Sequence, residues 1–499
     1  MGCLLYQAES KLKKTDPDNT GVVNMKHLIF FIFFIANQCL SQSLFKGKVI
    51  SKNRVPIQNV NILDSVAQKV VVSDKEGNFI IRTNKSQIHL ILSSVGYETI
   101  RSSVNLKEET EKIFILVEGI YLKDSIKIYS TRANQKTPFA YKNIGEKRIE
   151  LLNNGKGLPY LLQHTPSIVL TSDAGNAIGY TGIRIRGSDP TRINVTINGI
   201  PLNDAESHGV FWVNLPDIIS STNNIQIQRG IGTSTNGSGA FGGTINIKTG
   251  TPSKEKTISY NTSMGSYKTT KHTFSFNSGL INKKWNFEGR LSKIYSDGYV
   301  DRSFSDLKSY YLAANYFTRR SSLQMINFSG KEKTYQSWWG TPEAKINNDI
   351  SEMNKVIVNN SYSDQQAKNL LESGRTFNYY LYENQTDNYQ QDHYQLHLNQ
   401  DLFNNSNFNI SLHYTYGRGY YEEMQINDKL SNYNLANIVI GNKSIASSDI
   451  IRQRWLDNDF YGLVFSYILK KENELIVGGA WNKYVGNHFG KIIWGQYLP

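Results

Sequence analysis

Cysteine is nearly absent from this 499-residue sequence: only Cys3 and Cys39 occur. Both precede the point where an exported chain would begin. A mature chain would then have no disulfide framework, no thiolate metal site and no cysteine nucleophile. Long hydrophobic runs are missing too. No window approaches the roughly 20 apolar residues of a membrane helix, so a membrane would have to be crossed by strands. Charge of one sign is never concentrated. Lysine and arginine exceed aspartate and glutamate by 55 to 42, but they are scattered, which excludes a nucleic-acid patch. The basic balance suits a chain bordered by anionic lipid. Catalytic signatures are lacking as well: H-E-x-x-H, H-x-x-E, G-x-x-x-x-G-K-[ST] and G-x-S-x-G do not occur. Gly237 to Gly242 spells G-x-G-x-x-G, but the preceding strand ends about eight residues earlier and another strand follows. The dinucleotide reading therefore fails. The chain reads as a non-enzyme without a cofactor or metal.

What is abundant is tyrosine, with 30 residues and a 12% aromatic share. Amphipathic rings suit a protein with wet and greasy surfaces side by side. Met25 opens a second pattern. Lys26 and His27 precede a nine-residue apolar core, Leu28 to Ala36, and then polar residues reaching Ser43. This is the layout of a secretory signal peptide over 25–42, too short to span. Residues 1–24 are polar and read as a mis-called extension before the true start, Met25.

The remaining chain divides by texture. Over 43–119, short β-rich runs (48–50, 60–63, 69–73, 79–81, 88–92 and 112–117) alternate with turn signals at 52–56 and 74–78. About seven short strands predict a β-sandwich. Residues 120–136 form a linker in which Asp124, Ser125, Ile126, Lys127, Ile128 and Tyr129 alternate polar and β-branched side chains. It reads either as an edge strand of the sandwich or as an extended peptide offered to a partner's sheet edge. Residues 137–250 predict an α+β domain. Leu158–Leu162 is a short helix before Pro166, and strands lie at 183–187, 193–200, 225–230 and 244–249. Asn198-Gly199 is a tight-hairpin signal. Large apolar side chains are sparse there, as in a domain surrounded by a polar lumen.

From 251 to 499, segments of about ten residues alternate apolar and polar, the transmembrane β-barrel pattern. Phe408, Ile410, Leu412, Tyr414 and Tyr416 interleave with Asn409, Ser411, His413 and Thr415. Trp285 to Leu291, Tyr311 to Phe317, Tyr394 to Leu398 and Phe460 to Leu469 behave similarly. Residues 335–390 hold no spanning segment and read as a long, unstructured extracellular loop.

Two resemblances follow from these residues. Gly47, Pro56, Asp74, Gly77, Phe79, Gly96 and Tyr97 resemble the carboxypeptidase-regulatory-like domain, a non-catalytic sandwich found at the front of outer-membrane receptors of Bacteroidetes-type bacteria. L-L-Q-H-T-P-S-I-V-L (161–170), G-I-R-I-R-G (182–187), V-T-I-N-G-I-P-L-N-D (195–204), I-Q-I-Q-R-G (225–230) and G-S-G-A-F-G-G-T-I-N-I-K-T (237–249) occur in that order. Together they resemble the plug domain of TonB-dependent outer-membrane receptors. The resemblance makes Arg184, Arg186, Gly187, Asn198, Gly199, Arg229, Gly230, Gly237, Gly239, Gly242 and Gly243 the plug motif. It also makes residues 124–129 a TonB box. Arg184 and Arg186 alternate with Ile183 and Ile185 and so share one face; the resemblance implies that they meet acids of the barrel wall, and that the loop with Asp204, Glu206, His208 and Trp212 faces the ligand. That loop could also be a polar apex, or a metal site, and Phe211 to Val213 read as packing beneath it in preference to stacking on a ligand.

The expected fold is thus mainly β: an N-terminal β-sandwich, an α+β plug, and the first part of a 22-stranded transmembrane antiparallel β-barrel. Plugged transporters have about 22 strands, and 251–499 offers room for about ten, so the chain reads as a fragment. The expected function is import of a scarce ligand, energised by the TonB complex, with a metal chelate such as an iron–siderophore favoured. The expected location is the outer membrane, among its lipids, with the front domain in the periplasm. The alternatives are an oligosaccharide importer of the same class and a non-transporting adhesin or structural barrel.

Overall fold

The computed structural model describes residues 43–94, 96–117, 132–133, 137, 139–231, 239–250, 252–403, 405–470 and 473–498. The signal-like segment, the TonB-box residues 124–129 and Gly237 lie outside the described residues. The chain separates into two units, 1–121 and 122–499.

In the first unit, β1 (Ser43–Ser51), β2 (Asn61–Asp64), β3 (Lys69–Val72), β4 (Asn78–Thr83), β5 (Gln87–Ser93), β6 (Ile100–Asn105) and β7 (Glu111–Leu116) make two sheets, ordered β4-β1-β7 and β3-β2-β5-β6. Period-2 burial is clearest in β4 and β5. In β4, Phe79, Ile81 and Thr83 point inward and their neighbours outward, as a half-buried strand requires. Phe45, Phe79 and Phe114 meet at the centre with ring centroids 5.9–6.4 Å apart. The turn expected at 74–78 forms because the Asp74 carboxylate accepts from the backbone N–H of Glu76 and Asn78, at 3.1 and 2.7 Å. β6 is the one strand not evident in the sequence, because only Ile100 and Val104 in it are apolar.

The second unit opens with β8 (Tyr141–Gly145), α1 (Glu146–Leu152), α2 (Leu158–Leu161), β9 (Ile168–Ser172), β10 (Thr181–Ile185), β11 (Ile193–Ile197), β12 (Ile200–Pro201), β13 (Thr222–Arg229) and β14 (Gly243–Thr249). Five of the strands form a mixed sheet, β12-β11-β14-β13-β8, and β9 pairs with β10. The predicted helix at 158–162 starts with Pro159 in its first turn, where a missing N–H costs nothing. Asn198 and Gly199 both have positive φ, +55° and +82°, and turn β11 into β12 as the dipeptide predicted. Isoleucines of β11, β13 and β14 form the core. Beside them Gln226, Gln228, Asn246 and Thr196 are also buried.

The remaining strands are β15 (Lys256–Gly265), β16 (Thr269–Ser278), β17 (Trp285–Ser296), β18 (Ser305–Phe317), β19 (Ser321–Tyr335), β20 (Thr386–Phe403), β21 (Ser406–Lys429), β22 (Ile438–Ile440), β23 (Lys443–Ile445), β24 (Ser447–Lys470) and β25 (Glu474–Gly495). Nine of them form one antiparallel sheet, β15-β16-β17-β18-β19-β20-β21-β24-β25, while β22 and β23 are a separate hairpin. Among the described residues β15 and β25 do not pair with each other, so the sheet is open. The alternating segments all fall in it. One face carries Phe287, Leu291, Leu312, Met325, Leu398, Leu412 and Phe465 to the outside. The other meets the preceding domain, and Tyr311, Ala313, Ile326 and Phe328 join that domain's core.

Residues 335–390 differ from the expected unstructured loop. They contain α3 (Glu343–Ile346), α4 (Ile350–Asn359) and α5 (Asp364–Glu372), packed on Met353, Leu370 and Phe377. Asp349 and Ser363 cap α4 and α5, and Ser363 with Gln366 completes a capping box. These local signals were present in the sequence beneath a polar composition.

Candidate functional site

Two contacts between the α+β domain and the inner face of the large sheet define the site. The first is a closed ion cluster. Asp217 sits after Pro216 in a left-handed conformation, φ +52°, which drives its side chain into the sheet. Its carboxylate lies 2.6 Å from Lys271 Nζ of β16 and 3.4 Å from Arg290 Nη1 of β17. All three side chains are at most 3% exposed. Thr273 and Ser292 donate to the same carboxylate at 2.7 and 2.6 Å, and Ser220 at 2.7 Å. Burial alone would raise the Asp217 carboxyl. The Arg290 guanidinium and the Lys271 ammonium outweigh it and hold the carboxyl below its ordinary value. Lys271 Nζ also donates to Asn153 at 2.6 Å, so most of the donors are used.

The second contact leaves space. A cavity of about 800 Å³ lies between the 201–215 segment and the strands β19, β20, β21, β24 and β25. Its lining mixes rings (Phe211, Trp338, Tyr389, Tyr421) with carboxylates (Asp173, Glu332, Asp387) and one guanidinium, Arg454. Trp338 bridges the two sides, edge-on to Tyr180 at 5.9 Å and to Tyr421 at 5.5 Å. Arg454 lies 5.6 Å over the Tyr421 ring. Tyr180 donates its hydroxyl to Asp387. Burial, with Glu332 and Asp387 beside it, keeps that phenol protonated well above the usual tyrosine range. Burial also raises the Asp173 carboxyl to about 6. Aromatic walls with a few fixed polar groups are the usual chemistry of a small-molecule pocket.

The predicted ligand-facing loop divides. Glu206 reaches β25, where it accepts from Tyr484 at 3.1 Å and lies 2.8 Å from His488 Nε2. Asp204 lines the cavity, and its carboxylate caps the loop by accepting from the N–H of Glu206 and Ser207. His208 is exposed with φ +58°, and its carbonyl accepts from Asn203. Trp212 corrects the expectation of a ligand contact. It is 5% exposed and packs in the core with Leu215 and Ile218, while its neighbour Phe211 is the ring that faces the cavity. Among the described residues no three His, Cys, Asp or Glu side chains are placed to hold a metal.

The motif residues take other roles. Arg184 and Arg186 are both exposed, and Arg186 lies just beyond β10 with φ +53°. Arg184 meets Asp189 of its own domain at 3.5 Å rather than an acid of the sheet. Arg186 lies against Gly230, which has φ +94°. The ion pairing expected across the interface is thus present with its signs reversed. The acid is on the plug-like side, at Asp217, and the cations are on the sheet. Asn198 donates to Thr249 at 2.8 Å and to Gln395 of β20 at 3.0 Å, tying the hairpin to the sheet. Gly187 has positive φ, +76°. Arg229 ends β13, where its N–H donates to Ala140, and Gly239 follows the undescribed part of the glycine-rich loop. Gly242 donates to the Arg192 carbonyl at 2.8 Å, and a Cβ there would lie 2.7 Å from Ser188 Oγ. Gly243 begins β14. Asp217, Lys271, Arg290, Asp173, Trp338 and His488 were not singled out by sequence. The only signal was that the polar faces of the alternating strands carry charge.

Comparison with known proteins bears on the domains and the fold. Residues 133–244 match the TonB-dependent Receptor Plug Domain, and residues 45–125 match the CarboxypepD_reg-like domain. No curated protein matches the chain. Among solved structures, the ferric-catecholate import receptor Fiu from E. coli K12, in its open form, is similar with a TM-score of 0.50 at 16% identity. That match covers 74% of this chain and 53% of the receptor. FpvA of P. aeruginosa, bound to a heterologous pyoverdine–iron complex, is similar with a TM-score of 0.52 at 11% identity, over 79% and 52%. The siderophore receptor PiuA from Acinetobacter baumannii is similar with a TM-score of 0.51 at 13% identity, over 73% and 49%. At these identities the likeness is one of fold, and the chain spans about half the length of the structures it matches.

Proposed function

We propose that this chain, in which a CarboxypepD_reg-like domain and a TonB-dependent Receptor Plug Domain precede a sheet similar in fold to solved receptors, is a TonB-dependent receptor serving energised import of a metal chelate across the outer membrane. The observation that carries this reading is the cavity of about 800 Å³ between plug and wall, roomy enough for a drug-sized ligand. Cargo sits on Phe211, Trp338 and Tyr421, with the Glu206 loop above it. No covalent step is needed. Pulling on residues 124–129 by the TonB complex would shift the plug, and the cargo would pass.

The cavity also constrains its cargo. Among the described residues, Asp173, Asp204, Glu332 and Asp387 line the cavity with Arg454 as the one lysine or arginine. Such a lining favours a neutral or cationic chelate over a polyanionic one. The structures named above are receptors for iron–siderophores, which is the class we propose here.

Energised uptake of iron chelates differing in net charge tests the reading. We expect uptake of neutral or cationic chelates, abolished by Ile126→Pro with normal recovery in the outer membrane. Uptake unchanged by Ile126→Pro would overturn the import mechanism. An oligosaccharide taken up in place of every chelate would overturn the cargo class.

A further inference from the structure

The outer face of the sheet carries a feature that import does not use. From β16 to β21 the ladders place His272, Lys293, Lys308, Lys331, Gln390 and Arg418 abreast, one on each successive strand. Their chain neighbours Lys271, Ser292 and Glu332 are buried against the plug, so the row points outward. Lys293, Lys308 and Lys331 are exposed. Adjacent strands lie about 4.8 Å apart, and like charges directly opposite one another destabilise a sheet. The protein compensates only the ends of the row. Lys293 lies 3.6 Å from Asp306, and Arg418 lies 3.3 Å from Asp457. Asp392, one step below the row, accepts from Gln390 at 3.3 Å. Lys308 and Lys331 have no ion pair among the described residues.

Position narrows the choice of counter-ion. Trp285 stacks on Phe287 and packs on Tyr316 at the end of the sheet with short turns. Lys293 is eight residues further along β17, which on a tilted strand is a rise of about 20 Å. The apolar band of an outer-membrane barrel is about 25 Å tall. The row therefore lies at the upper edge of that band, at the end with the long connections. A groove of about 530 Å³ opens there, with Phe274, Leu291 and Tyr310 on its floor and the three lysines along it. A cationic rim over an apolar floor fits an amphiphile: a doubly charged phosphate between two unpaired ammonium groups, and acyl chains below.

We propose that this row is a binding site for a membrane lipid bearing a phosphomonoester head group in the outer leaflet. The proposal rests on the outer-membrane reading above, but not on import. The test uses the full chain in dodecyl maltoside micelles. Native mass spectrometry counts retained dioleoyl phosphatidic acid against dioleoyl phosphatidylcholine. We expect preferential retention of phosphatidic acid. Each lysine near an anionic surface contributes severalfold, so Lys308→Gln with Lys331→Gln should lose on the order of tenfold or more. Lys308→Arg with Lys331→Arg should retain it. Equal retention by the Gln pair and the wild type would overturn the site. Full displacement by excess inorganic phosphate would also overturn it, by showing a free-anion site without a lipid component. Neither readout needs uptake. Uptake lost with lipid retention intact would count against import alone, and the reverse against the lipid site alone.

Discussion

Strands β16 and β17 meet the plug with opposite charges and no space between. Strands β19, β20, β21, β24 and β25 meet it with carboxylates and rings across an open cavity. The difference lies in how buried charge is satisfied. At the first contact Asp217 has two cations and three hydroxyl donors within 3.4 Å. Such an ion group is tolerated in a dry interface because both signs and their hydrogen bonds are present. At the second, no cation pairs with Asp173 among the described residues, and burial raises its carboxyl to about 6. It is tolerated because it borders space that a ligand or solvent can fill. The closed contact is suited to holding the plug, and the open one has room for a small molecule.

This contrast can be broken most sharply at Asp217. Asp217→Ala leaves two buried cations unpaired, and about 3–5 kcal/mol of stability should be lost. Chemical unfolding in detergent reads this, and an unchanged midpoint would remove the clamp. Because the Asp217 carboxyl is held below its ordinary value, its contribution is present above the unfolded-state pKa. It is lost only as pH falls through the still lower folded value.

Adjacent rings on the two sides make a second comparison. Trp212→Ala should cost about 3–5 kcal/mol, because its indole is buried in the core. Phe211→Ala should cost under about 1 kcal/mol and, on the proposed function, weaken chelate binding instead, because its ring faces the cavity. Thermal melts paired with binding titrations separate them, and equal effects of the two on stability would undo the assignment.

Asp173 gives a smaller, pH-dependent effect of opposite sign to Asp217. Its folded pKa is raised, so its contribution is fully present below the unfolded value and is lost as pH rises through about 6. Asp173→Asn should therefore stabilise by up to about 2 kcal/mol near pH 8 and by almost nothing near pH 4. The same gain at both pH values would contradict a buried, ionising carboxylate. Glu206→Gln should have the least effect, under about 1 kcal/mol. Its contact with His488 is close to half-exposed on both sides. A larger loss in the melt would mean that the apical loop is clamped like Asp217.

The order of domains, the alternation of the sheet and the Asn198-Gly199 hairpin were legible in the sequence. Each depends on residues close together in the chain: a turn dipeptide, a period of two, a run of β-branched side chains. The helices within 343–372 were legible in principle from the Ser363–Gln366 capping box, but a polar composition concealed them. The cavity was not legible. It joins Asp173, Trp338, Asp387 and Arg454, residues far apart in the chain that only the packing of plug against wall brings together. Nor was the sign of the interfacial ion cluster. Two arginines in alternation suggested plug cations against wall acids, but Arg184 pairs with Asp189 of its own domain. A left-handed residue at Asp217 sent an acid into the wall. The sequence by itself determined which elements exist, because local geometry follows from local chemistry. Only the tertiary structure decided which charges meet, because that depends on where two sheets face each other.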